Sequence, residues 1–205
     1  MSNDITIEAL FPTPLMRTNL GENFSKKEIK FINECQKNLI NNSGNKTSLN
    51  NYVLNNKDLK NLKNKFNNCI KIYFNEIIKP KNKIKPYITQ SWINYTEENQ
   101  YHHTHEHPNS FISGVFYIDV DSKTDRINFY RKNQNLIKIH TEDYNIFNSE
   151  SWWLSIKTGD LVLFPSNLQH SVEIKKNKGI RKSLSFNVFV KGVLGKNKEL
   201  NELKL

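Results

Sequence analysis

The residues best suited to do chemistry are histidines, and they are crowded. Of the six histidines in the 205-residue chain, His102, His103, His105 and His107 fall within six consecutive positions. His103, His105 and His107 alternate, so on an extended backbone they project from one face, about 7 Å between successive members. Two imidazoles so spaced at a strand end can take adjacent positions on one metal ion. A third ligand must come from elsewhere, and His170 is the candidate. A close histidine pair, a long gap and a distal histidine point to a mononuclear metal site on a β-scaffold. His102 and His140 receive no role, because a lone histidine in a strand is more often a satisfied core or surface residue.

The elements that must position these residues change character along the chain. Ile5–Arg17 is broken by Pro12 and Pro14 and reads as an edge strand or extended segment. Ser25 and Glu28 form a capping box, and Ile29, Ile32, Cys35 and Leu39 follow at helical spacing, which predicts a helix over Ser25–Ile40. Asn41–Asn51 reads as a polar loop. A second helix fits Lys57–Ile78, with Leu59, Leu62, Phe66, Ile70, Tyr73 and Ile77 on one stripe, and Pro80 ends it. From Pro86 onward the period drops to two. Strands are expected at Tyr87–Tyr95, Tyr101–His107, Phe111–Val120, Arg126–Arg131, Trp152–Lys157, Asp160–Pro165, His170–Lys175 and Lys182–Lys191. Many short strands at this spacing suggest a sandwich or jelly roll. Lys132–Ser151 has no clear period and is long for a connection, as lids and substrate-contacting loops are.

The expected fold is therefore mainly β, a jelly roll buttressed by two α-helices. The chain is read as one domain: an N-terminal helical extension (1–85) packing on the sheet, a β-rich core (86–192) and a C-terminal tail (193–205). The net charge of +10 comes from scattered lysines in a Lys-, Asn- and Ile-rich chain, with no Arg-rich stripe and no zinc-finger or RNP motif, so specific nucleic-acid binding is not expected. Cys35 and Cys69 show no CxxC pattern and suit free thiols in a reducing cytoplasm. No run of 18 apolar residues and no signal-peptide pattern is present, so a soluble cytoplasmic protein is expected, with no membrane partner. A homodimer through an edge strand is open by analogy with other jelly rolls.

An ordered set of motifs makes the reading specific. Trp92–Asn94 is followed by His105-Glu106-His107-Pro108-Asn109-Ser110 and by Ser113-Gly114-Val115-Phe116-Tyr117-Ile118. Gly159–Ser166, then His170, then Arg181–Asn187 complete it. This set resembles a family of bacterial and phage 2-oxoglutarate/Fe(II)-dependent oxygenases distantly similar to prolyl hydroxylases, and covers roughly 86–191. The resemblance implies a double-stranded β-helix, Fe(II) as cofactor and 2-oxoglutarate as co-substrate. It further implies hydroxylation of a small-molecule or peptide substrate, coupled to decarboxylation of 2-oxoglutarate to succinate. By position it implies His105, His107 and His170 as metal ligands, and Arg181 as the partner of the distal carboxylate. Ser183, at i+2 on the same strand face as Arg181, can donate to the same carboxylate, and Tyr117 and Asn109 could touch 2-oxoglutarate or a metal-bound water, although packing explains them as well. A guanidinium can hold a carboxylate through two parallel hydrogen bonds, which Lys cannot imitate. Asn187, on the same strand as Arg181, could also bond there.

One departure stands out. The wider superfamily carries His-x-Asp or His-x-Glu, which completes a two-histidine, one-carboxylate triad. Here the second position is His107, and three neutral imidazoles leave the site one negative charge short. His103/His105 is a second candidate pair, and Glu106 could be recruited if its strand is bulged. Two rival readings remain: a cupin-like protein that binds metal and ligand without turnover, and a dioxygenase that needs no 2-oxo acid.

Overall fold

The computed structural model describes residues 4–132, 137 and 139–205. After an exposed extended segment, β1 (Met16–Asn19) leads to α1 (Lys26–Cys35) and a hairpin of β2 (Leu39–Asn42) and β3 (Asn45–Ser48). Two short 3₁₀ turns precede α2 (Lys60–Tyr73), which ends in a π turn, Phe74–Ile78. The remaining strands are β4 (Ile84–Thr96), β5 (His102–His105), β6 (Ile112–Asp119), β7 (Arg126–Tyr130), β8 (Ser151–Ser155), β9 (Asp160–Pro165), β10 (His170–Val172), β11 (Arg181–Leu194) and β12 (Leu203–Lys204).

These strands form two antiparallel sheets. The larger runs β1-β9-β6-β11-β4-β3-β2, with β12 added to the end of β11, and the smaller runs β5-β10-β7-β8. Ile127 and Phe129 of the smaller sheet pack with Tyr117, Val162 and Phe164 of the larger, so one core lies between the sheets. A second core lies on the other face of the larger sheet, under the helices. Leu62, Phe66, Cys69, Ile70 and Tyr73 of α2 are buried there, each apolar side chain contributing roughly 1.5–3 kcal/mol. Phe66 stacks on Phe186 at 5.0 Å and tilts against Phe116 at 5.2 Å. Gly114 makes this approach feasible, since a Cβ there would stand 2.2 Å from the Phe186 ring. The double-stranded β-helix buttressed by two helices is the architecture the sequence implied.

Local departures have physical causes. The capping box forms: Glu28 N–H donates to Ser25 Oγ at 3.2 Å and Ser25 N–H to Glu28 Oε2 at 2.7 Å. α1 nevertheless stops at Cys35, not Ile40, because Leu39 and Ile40 pair with Ser48 and Thr47. The expected loop at Asn41–Asn51 thus opens as a hairpin, turned at Gly44 with φ +89°. Only glycine fits there, as a Cβ would meet the Tyr101 carbonyl at 2.7 Å. The first 85 residues accordingly supply β1, β2 and β3 to the sheet as well as helices. Cys35 and Cys69 are free thiols. Among the described residues no helix is long and apolar enough to cross a membrane. Part of Lys132–Ser151 lies outside the described residues.

Candidate metal centre

The site sits between the sheets and follows the period of two. Trp92, Asn94 and Thr96 of β4, Val115 and Tyr117 of β6, and Arg181, Ser183 and Ser185 of β11 face one pocket from the larger sheet. His102 and His105 of β5, His170 of β10 and His107 face it from the smaller sheet and its margin.

Pairing in the smaller sheet assembles the histidines. His105 stands opposite His170 in register, which joins residues 65 positions apart. His107 lies just past the end of β5 and is anchored by its N–H, which donates to Ser166 O at 2.9 Å. The candidate ligand nitrogens of His105, His107 and His170 lie within 4.8 Å of one another. The ring centroids are 4.8 Å apart for His105–His107, 4.3 Å for His105–His170 and 5.2 Å for His107–His170.

Second contacts fix the tautomers. His105 Nδ1 is 2.8 Å from His103 O, and His170 Nδ1 is 2.9 Å from Leu168 O. A carbonyl can only accept, so each Nδ1 carries the proton and each Nε2 keeps a free lone pair for a metal. Burial, reinforced by the neighbouring His105, pushes His170 down to about 3 and His107 down to about 4. Burial also lowers His105. At neutral pH all three rings are neutral, the form in which imidazole binds metal.

Glu106 is not part of this set: its carboxylate turns toward Lys132, 3.8 Å away, on the exposed side. β5 is nonetheless bulged. His170 pairs with His105 and Val172 with His102, so three steps on β5 match two on β10. The bulge brings His102 into the pocket wall, stacked on His105 at 4.5 Å. The strand therefore does not present His103, His105 and His107 on one regular face. His102, His103 and His105 form a second cluster with ligand atoms within 4.8 Å, but it shares His105, so one ion at a time can use that nitrogen. The β2–β3 turn braces this end: Ser43 O accepts from His103 Nδ1 at 3.2 Å, and Asn42 Nδ2 lies 3.4 Å from His102 Nε2.

Arg181, Ser183, Ser185 and Tyr117 bring hydrogen-bond donors to the pocket wall. Arg181, 4% exposed, donates through Nη1 to Asp125 Oδ1 at 2.8 Å. Ser183 stands opposite Tyr117 in the β6–β11 register. The Tyr117 hydroxyl is buried with no hydrogen-bond partner among the described residues, and burial raises its pKa, so it remains a proton donor. Asn94 donates to Ser185 Oγ at 2.9 Å and to Ser183 Oγ at 3.4 Å, which leaves both hydroxyl protons for a ligand. An orphaned phenol beside a guanidinium and two hydroxyls is a donor set that a carboxylate satisfies.

Other motif residues serve elsewhere. Asn109, at φ 56°, is exposed in the turn after His107 and does not line the pocket. Asn187 accepts from Ser113 Oγ at 2.9 Å. Ser113, Ser166 and Ser110 continue that chain at 2.9 and 2.7 Å, and Ser110 Oγ donates on to Val188 O. This hydroxyl network holds the His107 turn against β6, β9 and β11. Asp125 and His102 escaped the sequence reading. His102 had only its adjacency to the cluster, and Asp125 had no local signal, since its partner is 56 residues away.

Residues 90–187 match the model of the family described as "Putative 2OG-Fe(II) oxygenase". No curated protein matches the chain. Among solved structures, the chain is similar to HygX from Streptomyces hygroscopicus with nickel, 2-oxoglutarate and hygromycin B bound. The identity is 10%, coverage 86% of this chain and 82% of that one, and the TM-score 0.59. It is also similar to a prolyl hydroxylase from Trichoplax adhaerens in complex with a hypoxia inducible factor peptide fragment (13% identity, 85% and 83% covered, TM-score 0.59). A third is an oxidoreductase of the 2OG-Fe(II) oxygenase family from Burkholderia pseudomallei (11%, 85% and 83%, TM-score 0.56). At these identities the likeness establishes a shared double-stranded β-helix.

Proposed function

We propose that the chain is a 2OG-Fe(II) oxygenase, the family whose model residues 90–187 match, in which His105, His107 and His170 hold the metal and Arg181, Tyr117 and Ser183 hold the far carboxylate of 2-oxoglutarate. The observation that carries this reading is the orphaned Tyr117 hydroxyl, buried in the same pocket as the three neutral histidines. His105, His107 and His170 would leave part of a bound iron's coordination open, and the iron would supply there the redox chemistry toward a 2-oxo acid and O₂. The chain's part is to hold three imidazoles by their Nδ1 protons or backbone, to orient the co-substrate through its distal carboxylate, and to exclude water with Trp92, Phe164 and Phe129 packed around His107 and His170.

The reaction proposed is hydroxylation, with decarboxylation of 2-oxoglutarate to succinate. The substrate is a small molecule or a peptide, the two kinds bound by HygX and the prolyl hydroxylase. The chain acts as one unit, with 86–192 as catalytic core, 1–85 as its buttress and 193–205 as a tail. Free thiols on both helices suit the cytoplasm, and no nucleic-acid partner is proposed.

The test is anaerobic Fe(II) titration with and without 2-oxoglutarate, read by visible absorption. A band that needs both components and vanishes in His170→Ala supports the reading. Iron binding with no such band overturns it.

A further inference from the structure

The missing negative charge at the metal has a counterpart behind the pocket wall, on the far side of Arg181. Three neutral imidazoles lack the carboxylate of the usual triad, and Glu106 faces away. Yet a buried carboxylate is present beside the co-substrate end: Asp125, whose side chain is 2% exposed. It sits in the turn between β6 and β7, where its own N–H donates to Asp121 O at 2.8 Å. Its Oδ2 accepts from Asp121 N–H at 2.9 Å and its Oδ1 accepts from Arg181 at 2.8 Å. Both oxygens are engaged, so the carboxylate is fixed. Arg181 has one other partner among the described residues, the Glu173 carbonyl at 3.5 Å. Five guanidinium protons less these two leave three for a ligand.

We propose that Asp125 is a positioning residue for 2-oxoglutarate: it fixes the Arg181 guanidinium for the distal carboxylate and restores the charge balance that the three-histidine site lacks. With the ion and the dianionic co-substrate bound, their two positive and two negative charges cancel, and Arg181 is cancelled by Asp125. In the usual triad the metal-bound carboxylate plays that part, and the arginine's charge is taken up by the same sum. Here the carboxylate has moved from the metal to the arginine. Stability alone is a weak reason to keep such a pair, since buried ion pairs replaced by apolar residues of similar volume are often no less stable. An amide at this position cannot accept from both Arg181 and Asp121 through its two ends, so the guanidinium loses its fixed orientation.

This inference rests on the proposed co-substrate, and the experiment separates the two. Calorimetry with Mn(II)-loaded protein compares the Kd of 2-oxoglutarate with that of 2-oxopentanoate, which has a methyl in place of the distal carboxylate. Wild type prefers 2-oxoglutarate; if it does not, the proposed function and this inference both fall. Asp125→Asn lowers that preference by about tenfold or more, the loss of one charge-assisted contact, while 2-oxopentanoate and Mn(II) bind as in wild type. Asp125→Glu, which keeps the charge but displaces it by a methylene, lies between the two, and it alone decides if the amide variant does not fold. An unchanged preference, an increased one, or equal weakening of both acids overturns the assignment.

Discussion

Replacing Tyr117 by Phe should make the ligand-free protein more stable and its co-substrate binding worse. Tyr117 is 1% exposed, and its hydroxyl has no partner among the described residues. A buried, unsatisfied hydroxyl costs about 1–3 kcal/mol, so removing the oxygen without changing the ring should stabilise the ligand-free fold by about 1–2 kcal/mol. For a chain of this size that is a Tm rise of roughly 2–8 °C. The same oxygen is proposed to donate to a carboxylate, a contact worth about 1.5–3 kcal/mol. Its loss should raise the Kd of 2-oxoglutarate roughly 10- to 100-fold. Thermal melts of the ligand-free protein and calorimetry of the Mn(II) form read the two effects independently. A lower Tm together with unchanged 2-oxoglutarate affinity would refute the reasoning, because the hydroxyl would then have a partner in the fold and none in the ligand.

Two further predictions follow from the same geometry. Burial holds His107 at about 4 and His170 at about 3, against 6.5 in the unfolded chain, so between those values the unfolded state binds protons that the folded state does not. Stability of the metal-free protein is therefore full above pH 6.5 and falls as the pH drops toward 4, by up to about 1.4 kcal/mol per pH unit for each histidine. Denaturant melts from pH 7 to 4.5 check this, with a shallower slope in His170→Gln; a flat profile contradicts it. Gly114→Ala would place a methyl 2.2 Å from the Phe186 ring, which is already stacked on Phe66, and should cost about 1–3 kcal/mol in chemical denaturation; a loss below about 0.5 kcal/mol contradicts the packing account.

Much of this was legible in the sequence, for reasons that differ by element. The α1 start was readable because Ser25 and Glu28 satisfy each other three residues apart. Its end was not, because pairing of Leu39 and Ile40 with Thr47 and Ser48 outcompetes helix continuation, and only Ser43-Gly44 hinted at the turn. Alternation, a local property, put Arg181 and Ser183 on one strand face, and both line the pocket together with Asn94 and Tyr117. Regular alternation misled at β5, where the bulge brings His102 to the pocket and leaves His107 beyond the strand. Asn109 and Asn187 read as pocket residues by motif, whereas one is exposed in a turn and the other is held by Ser113. Asp125 was invisible because nothing nearby marks a turn aspartate as the partner of a distant arginine.

The central claim is one pocket holding a metal on three histidines and 2-oxoglutarate on Arg181. A crystal structure of the protein grown anaerobically with Mn(II) and 2-oxoglutarate tests it most directly. The account predicts the ion on His105, His107 and His170 through Nε2 of His105 and His170, Glu106 remaining outside, and the distal carboxylate between Arg181 and the Tyr117 hydroxyl. An ion on His102, His103 and His105, a Glu106 ligand, or a co-substrate that leaves Tyr117 unpartnered would contradict it.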